Sequence, residues 1–475
     1  MASELPFKLN NKDIFRDHSL VNGEWVDAQS KKRAPDNGPE DVDKTVQAAQ
    51  TAFESYRKVN PRTRAQWLLK WDALIREHRD DIAKIVTYET GKPIAESQGE
   101  LDYALGFTWW VWCYVGVLEI RTVSTPAAPG RRVFTIKQPI GVAVALTPWN
   151  FPIAMILRKA GAALAAGCTM IVKPSPETPF SVLTLGYLAL QAGFPPGVFN
   201  VLTTSLDNTP SLSGTLCRHE FVKKVTFTGS TRVGKLVAKI CSDGLKKVTL
   251  ELGGNCPFLV FEDADLEQAA NGQACITANR VYVQKSIYKD FTELIVQKTK
   301  GLVMGHGSES KTTLGPVTTS RGLDKAESQV KDAVSHGGKL LLGSGQRNKD
   351  AEGYFFEPAI IGDANAEMLI ANEETFAPVL AMFPFDTEEE AVERANNTSM
   401  GLASYFFTKN IDRTWRLFEN LEAGMIGINT GNSSAAESPF GGIKESGYGK
   451  ESGKDVAVNE YLITKTGTFT LDGQY

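Results

Sequence analysis

From Gly141 onward, short strand-like runs alternate with helical stretches, and this rhythm restricts the fold more than any other feature. The runs GVAVALT (141–147), TMIVK (169–173), VFNVL (198–202), KVTFT (224–228) and KKVTLE (246–251) have the length and β-branched content of strands. Apolar strands joined by helical crossovers need a parallel sheet covered on both faces. After Glu251 a second alternation begins: PFLVF (257–261), VYVQ (281–284), KLLLG (339–343), PVLAMFP (378–384), ASYFFT (403–408) and GMIGIN (424–429), with helices over 287–300, 319–335, 386–397 and 411–422. Two sheets, hence more than one domain, are expected in a chain of 475 residues.

The segments around this frame read simply. SLVNGEWVD (19–27) is a hairpin turning at Asn22-Gly23. Helices follow, with Val42, Val46, Ala49 and Phe53 on one face of the first, then near 61–78, 80–91 and from Ile94. Within residues 119–138 the Pro/Ala/Gly portion reads as a crossing loop and RRVFTIKQ (131–138) as a strand, and VNEYLITKTGTFTL near the end alternates as a strand. The run FTWWVWCYVGVL (107–118) is too short to span a bilayer and reads as buried helix. A net charge of −4 gives no basic face for nucleic acid or an anionic membrane. Neither the six cysteines, which form no CxxC pair, nor the five histidines have the spacing of a zinc site. Unpaired cysteines, and a start that reads as neither a secretory nor a mitochondrial leader, make the cytoplasm the expected location.

The chemistry concentrates in ELGGNCPFLVFEDADLEQAANGQAC, Glu251 to Cys275. Cysteine is the most nucleophilic ordinary side chain near pH 7, and a nearby carboxylate is a candidate general base. Together with TPWNFP (147–152), KPSPETP (173–179), FTGSTRVG (227–234), EETFAPV (373–379) and PFGGIKESGYG (439–449), this stretch resembles the aldehyde dehydrogenases, closest to the succinate-semialdehyde dehydrogenase branch. The resemblance covers nearly the whole chain. It implies an α/β, aldehyde dehydrogenase-like fold: a parallel-sheet cofactor domain (1–121 and 139–250), a second α/β catalytic domain (251–454) and a β oligomerisation arm (122–138 and 455–475). A homodimer or homotetramer is the expected assembly.

By the same resemblance, Cys275 attacks the aldehyde carbon, giving a thiohemiacetal and then a thioester. Asn150 donates to the oxyanion and Glu251 activates the hydrolytic water. The plainer readings are a buried small-residue cysteine, a turn asparagine before Phe-Pro, and a glutamate satisfying backbone amides at a strand end. Trp149, Lys173, Ser175, Pro176, Gly229, Ser230, Val233, Leu252, Glu374 and Phe376 match cofactor-binding positions. Gly229 and Gly234 allow a close turn into a helix whose N-terminus attracts phosphate. Pro176 stands where NAD-preferring relatives often carry a glutamate. Lys173 and Ser175 would then face a 2′-phosphate unopposed, with Glu177 offset by one, so the expected cofactor is NADP or NAD with NADP favoured.

Arg158 and Ser434 match the residues holding the distal carboxylate of a semialdehyde; a guanidinium offers the bidentate geometry a carboxylate needs. The alternative for Arg158 is a solvated helix arginine beside Lys159. Cys275 follows Glu251 by 24 positions, a shorter interval than the family's by roughly three helical turns. A further shortening falls near 32–35. The missing stretch normally carries a second carboxylate-binding arginine. The expected reaction is oxidation of succinate semialdehyde to succinate. The alternatives are a broader aldehyde dehydrogenase, or a cofactor-binding variant whose turnover is impaired by the short interval.

Overall fold

The computed structural model describes residues 5–30, 36–115, 121–123, 130–271, 278, 280–349 and 351–471. Cys275, its neighbours Gly272-Gln273, Asn279 and the shortening near 32–35 lie outside the described residues.

An eight-stranded sheet runs in spatial order Gly447–Tyr448, Lys247–Glu251, Val222–Thr228, Val142–Leu146, Thr169–Lys173, Phe199–Val201, Ser19–Val21, Glu24–Val26. Its five inner strands are parallel, as the crossover rhythm requires. The central strand shows why its sequence does not alternate. Ala143 and Ala145 enter one hydrophobic core while Val142, Val144 and Leu146 enter another on the opposite face. The Ser19–Val26 hairpin adds antiparallel strands at one edge through Leu20 and Val201. Its turn residues Asn22 and Gly23 have φ of 54° and 79°, the left-handed pair that matches strand twist.

A seven-stranded sheet runs Lys339–Leu342, Ala359–Gly362, Val379–Phe385, Arg280–Gln284, Pro257–Val260, Ala403–Phe407, Met425–Ile428. Here too neighbouring residues divide between two cores, with Leu259 in one and Phe258 and Val260 in the other. Leu462–Thr470, Arg131–Pro139 and Arg121–Val123 form a third, antiparallel sheet, the first two paired over nine residues. Its last strand follows a short helix, Asp455–Asn459, that packs on the helix Pro152–Ala166.

Of the apolar run at 107–118, Phe107 and Thr108 are buried and Trp109 is half exposed. Among the described residues no helix is long and apolar enough to cross a membrane.

The sequence reading omits several strands, Arg121–Val123 among them. Ala359–Gly362 is a short strand after a proline, and Met400–Gly401 with Ile443–Lys444 is too short to show a period. Gly447–Tyr448 lies in a glycine-rich stretch that reads as a turn, yet Gly447 pairs with Glu251. Gly447 has φ +103°, and a Cβ there would lie 2.0 Å from the Leu250 carbonyl oxygen. Gly447→Ala is therefore expected to cost about 1–3 kcal/mol in left-handed strain and lost pairing, read as a lower denaturant midpoint, and to lower turnover because the displaced partner strand carries Glu251.

Candidate active site

The parallel strands Val222–Thr228 and Lys247–Glu251 pair Lys224 with Lys247, Thr226 with Thr249 and Thr228 with Glu251. Their alternate, polar residues therefore share one face of the sheet. Against that face lies the helix Pro152–Ala166, every residue of which is buried. Its sequence is apolar except for Arg158 and Lys159, which need buried acceptors.

They find Glu251 and Glu451. Arg158 Nη2 donates to Glu251 Oε2 at 3.1 Å, and Arg158 Nε lies 3.3 Å from Glu451 Oε2. Lys159 Nζ is ion-paired with Glu451 and donates to Thr228 Oγ1 at 2.7 Å. Thr226 Oγ1 donates to Glu451 Oε1 at 2.6 Å and Thr228 Oγ1 to Glu251 Oε2 at 3.3 Å. The Arg158 guanidinium stacks 4.1 Å from the Phe440 ring centre and 5.6 Å from that of Phe107. Two cations thus balance two carboxylates in a dry site.

The environments of the two acids differ. Burial, joined by the charge of Glu451, pushes the Glu251 carboxyl up to about 7 against the opposing pull of Arg158, Lys159 and Thr228. Burial also penalises ionised Glu451, but Lys159 and Arg158 outweigh it and hold that carboxyl below the usual range. Burial alone would weaken the basicity of Arg158; Glu251, Tyr103 and Glu451 outweigh it and the guanidinium stays charged. Neighbouring acids pushed apart in this way can divide roles, Glu451 ionised and Glu251 exchanging protons near neutrality.

Among the described residues, several buried polar atoms here have no hydrogen-bond partner: Glu251 Oε1, Glu451 Oε2, Arg158 Nη1 and Nε, Asn150 Oδ1 and Thr147 Oγ1. Unpaired buried polar atoms are rare enough that each needs an explanation. Asn150 sits between the strand Val142–Leu146 and the helix Pro152–Ala166. A turn asparagine would spend its side-chain oxygen on the local backbone, and this one does not. Both recorded partners of Glu251's carboxylate are side chains, so the strand-end reading fails for it as well.

The glycine pair after Glu251 does not leave the segment loose. Leu252 N–H donates to Ser446 O at 3.0 Å and Gly254 N–H to Glu374 Oε1 at 3.1 Å. The solvated reading of Arg158 is overturned, since its side chain is 1% exposed. Ser434 joins the same wall indirectly. Its hydroxyl bonds that of Tyr103, whose ring meets Phe107 edge-on at 4.9 Å.

The cofactor positions divide between two groups. Ser230 precedes the helix Thr231–Ser242 and makes no side-chain capping bond, leaving the first-turn amides for an anion. Gly229 has the Phe227 ring 2.6 Å from where a Cβ would stand, and Leu252 fills the space beside Gly234. Val233 packs against the core below. Glu374 Oε2 lies 2.9 Å from the Cβ position of Gly253, and burial raises its pKa. Trp149 and Phe376 meet edge-on at 5.8 Å, with Phe376 half exposed. These features fit a dinucleotide, whose pyrophosphate would lie at the Ser230 end.

At the other group, Lys173 ends its strand with its ammonium lowered to about 8 by burial, against the upward pull of Glu177. Pro176 is half-buried beside them. The buried Ser175 donates its hydroxyl to Glu177. Lys173 and Ser175 are therefore not unopposed: the offset carboxylate folds back to both.

A profile of the aldehyde dehydrogenase family matches residues 24–467. The chain belongs to the aldehyde dehydrogenase family. It is 42% identical to the NADP+ succinate-semialdehyde dehydrogenase of Saccharomyces cerevisiae, covering 96% of each chain. It is 41% identical to the glutarate-semialdehyde dehydrogenase of Pseudomonas putida over 96% of this chain and 98% of that one. A crystal structure described as an E. coli NADP-dependent enzyme superposes with a TM-score of 0.95 at 40% identity, over 98% of this chain and 100% of that one. The protein is an NAD(P)-dependent aldehyde dehydrogenase.

Sequence reasoning missed Lys159, Glu451, Thr226 and Tyr103. A signal existed for the first: two adjacent cations inside an otherwise apolar helix require buried anions. Another lay in the alternate polar residues Lys224, Thr226 and Thr228.

If Glu251 is the base that the resemblance implies, only its ionised form can take a proton; turnover is then expected to fall about tenfold per pH unit below about 7, and Glu251→Gln to abolish that limb of the pH–rate profile. The folded value exceeds the ordinary 4.5. The stabilising contribution of this group is thus fully present below 4.5 and lost as pH rises through about 7.

Proposed function

We propose that this aldehyde dehydrogenase oxidises succinate semialdehyde to succinate, with NADP preferred to NAD. The observation that carries the proposal is the end-to-end likeness to the yeast succinate-semialdehyde enzyme. The free Arg158 Nη1, on a wall continuous with Tyr103 and Ser434, supports an anionic substrate. This nitrogen donates to the distal carboxylate while Nη2 and Nε remain on Glu251 and Glu451.

Cys275 is the proposed nucleophile. Its thiolate bonds to the aldehyde carbon, and the Asn150 amide donates to the resulting oxyanion. Cys168 and Cys256 are unsuited to this task, because burial pushes their thiols up to about 11 and about 12. The dinucleotide, when bound, supplies the hydride acceptor. Lys173 and Ser175 would hold its adenosine ribose, Val233 would lie near the adenine, Gly229 and Ser230 would shape the pyrophosphate turn beside Leu252, and Glu374, Phe376 and Trp149 would position the nicotinamide end. Glu251 Oε1, the unpaired oxygen, takes the proton of the water that hydrolyses the Cys275 thioester.

The test is formation of reduced cofactor with succinate semialdehyde, glutarate semialdehyde and propanal. Succinate semialdehyde is expected to lead propanal by about a hundredfold in kcat/KM; equal values would overturn the carboxylate reading. Arg158→Met is expected to raise KM for the semialdehyde at least tenfold more than for propanal, about 1.4 kcal/mol. Propanal turnover controls for its effect on Glu251. The P. putida relative favours a second reading, a substrate one carbon longer, which the glutarate arm decides. On the cofactor, Glu177→Gln is expected to raise the NADP-to-NAD ratio of kcat/KM about tenfold by removing a carboxylate that repels the 2′-phosphate.

A further inference from the structure

The turn carrying Asn150 is held from below by an ion pair remote in sequence. Glu100, on the helix Ile94–Val115, has a fully buried carboxylate. Its Oε1 accepts from Ile153 N–H at 2.8 Å and Ala154 N–H at 3.2 Å, the first-turn donors of the helix Pro152–Ala166. The residue preceding that helix, Phe151, offers no side-chain cap. The other Glu100 oxygen accepts from Lys92 Nζ at 2.7 Å. The same ammonium donates to the backbone oxygen of Asn150 at 2.7 Å and lies 4.3 Å from the Phe151 ring centre. Lys92 and Glu100 thus grip the chain on both sides of Phe151 without using the Asn150 side chain, whose oxygen is buried and unpaired.

A buried ion pair adds little net stability compared with apolar residues of the same volume. It does fix direction, since a lysine bonded to both a carboxylate and a carbonyl leaves the Asn150 peptide plane one orientation. Donors aimed at an oxyanion act through such preorganisation. We propose that Lys92 and Glu100 are positioning residues that aim the Asn150 amide at the reacting carbonyl oxygen. This inference rests on the reading of Asn150 as the oxyanion donor.

The test is a double-mutant cycle on the full-length enzyme. Lys92→Met is combined with Glu100→Gln, which removes both charges together and keeps an acceptor for Ile153 N–H. The pair is placed in the wild-type and in the Asn150→Ala background. Asn150→Ala alone is expected to lower kcat by about 10²–10³. The Lys92→Met/Glu100→Gln pair is expected to lower kcat about tenfold or more in the wild type, with cofactor affinity unchanged, and less than twofold in the Asn150→Ala background. Lys92→Arg, able to reach both oxygens, is expected to recover most of the rate. An equal penalty in both backgrounds would mean a structural role and overturn this inference alone, as would a pair with wild-type kcat. Asn150→Ala turning over at the wild-type rate would overturn the oxyanion reading and this inference with it. Thermal midpoints and cofactor titration of each variant show that the enzymes compared are folded.

Discussion

The contact on which the site depends is the buried pairing of Arg158 and Lys159 with Glu251 and Glu451. It joins three stretches far apart in sequence: one helix, the end of one strand and the segment near the C-terminus. Removing one partner would leave a charge uncompensated in a dry site, so the four residues constrain one another. That also explains how a fully apolar-faced helix tolerates two cations. The balance is not symmetrical. Glu451 is ion-paired with both Arg158 and Lys159 and accepts from the Thr226 hydroxyl, while among the described residues Glu251 is ion-paired with Arg158 alone. This leaves Glu251 the more readily protonated acid, which suits it to the proposed water-activating role.

The sheets place this cluster where ligands meet it. Strand Lys247–Glu251 ends at the acid, strand Val222–Thr228 runs into the helix at Ser230, and strand Thr169–Lys173 ends at Lys173. The carboxyl ends of the parallel strands therefore gather the proposed base, phosphate and ribose contacts at one rim, the general location of ligand sites in open α/β sheets. Glu374 reaches the same rim from the chain of the second sheet through Gly254 N–H. The pair of glycines there serves close approach: a side chain at Gly253 would strike the Glu374 carboxylate.

Much of this architecture was legible because burial on both faces writes itself into a strand. Val142–Leu146 could be placed from its residues alone, and so could the parallel strands beside it. The sequence was silent where pairing depends on backbone shape or on distant partners. Gly447 looks like a turn glycine, and nothing local says that it completes the strand of Glu251. Arg158 showed the same limit differently. The family resemblance assigned it to a substrate carboxylate, and its ionic partners among the described residues are Glu251 and Glu451, on segments that no local pattern connects. Glu177 likewise reads as offset by one, and only the folded turn returns its carboxylate to Ser175 and Lys173.

The short interval between Glu251 and Cys275 can be judged against the sheet. Strands Pro257–Val260 and Arg280–Gln284 are adjacent and parallel, with Pro257 opposite Arg280. The 19 residues between Val260 and Arg280 are their crossover. A crossover between neighbouring parallel strands needs about a dozen residues, so this connection is long enough for the observed sheet register. The far end of that connection is fixed firmly. Arg280 is buried, and its guanidinium donates to the backbone oxygens of Asn255, Arg394 and Ala395. Cys275 precedes Arg280 by five positions, a tether of at most about 17 Å. Its anchor lies beside Pro257, six residues after Glu251. On the proposed reading, the short interval leaves Arg158 without the second carboxylate-binding arginine that the resemblance to the semialdehyde branch implies. Arg158 would then serve that carboxylate with one nitrogen while two stay near the protein's own acids, so that the proposed substrate binding and the protonation of Glu251 would share one electrostatic balance.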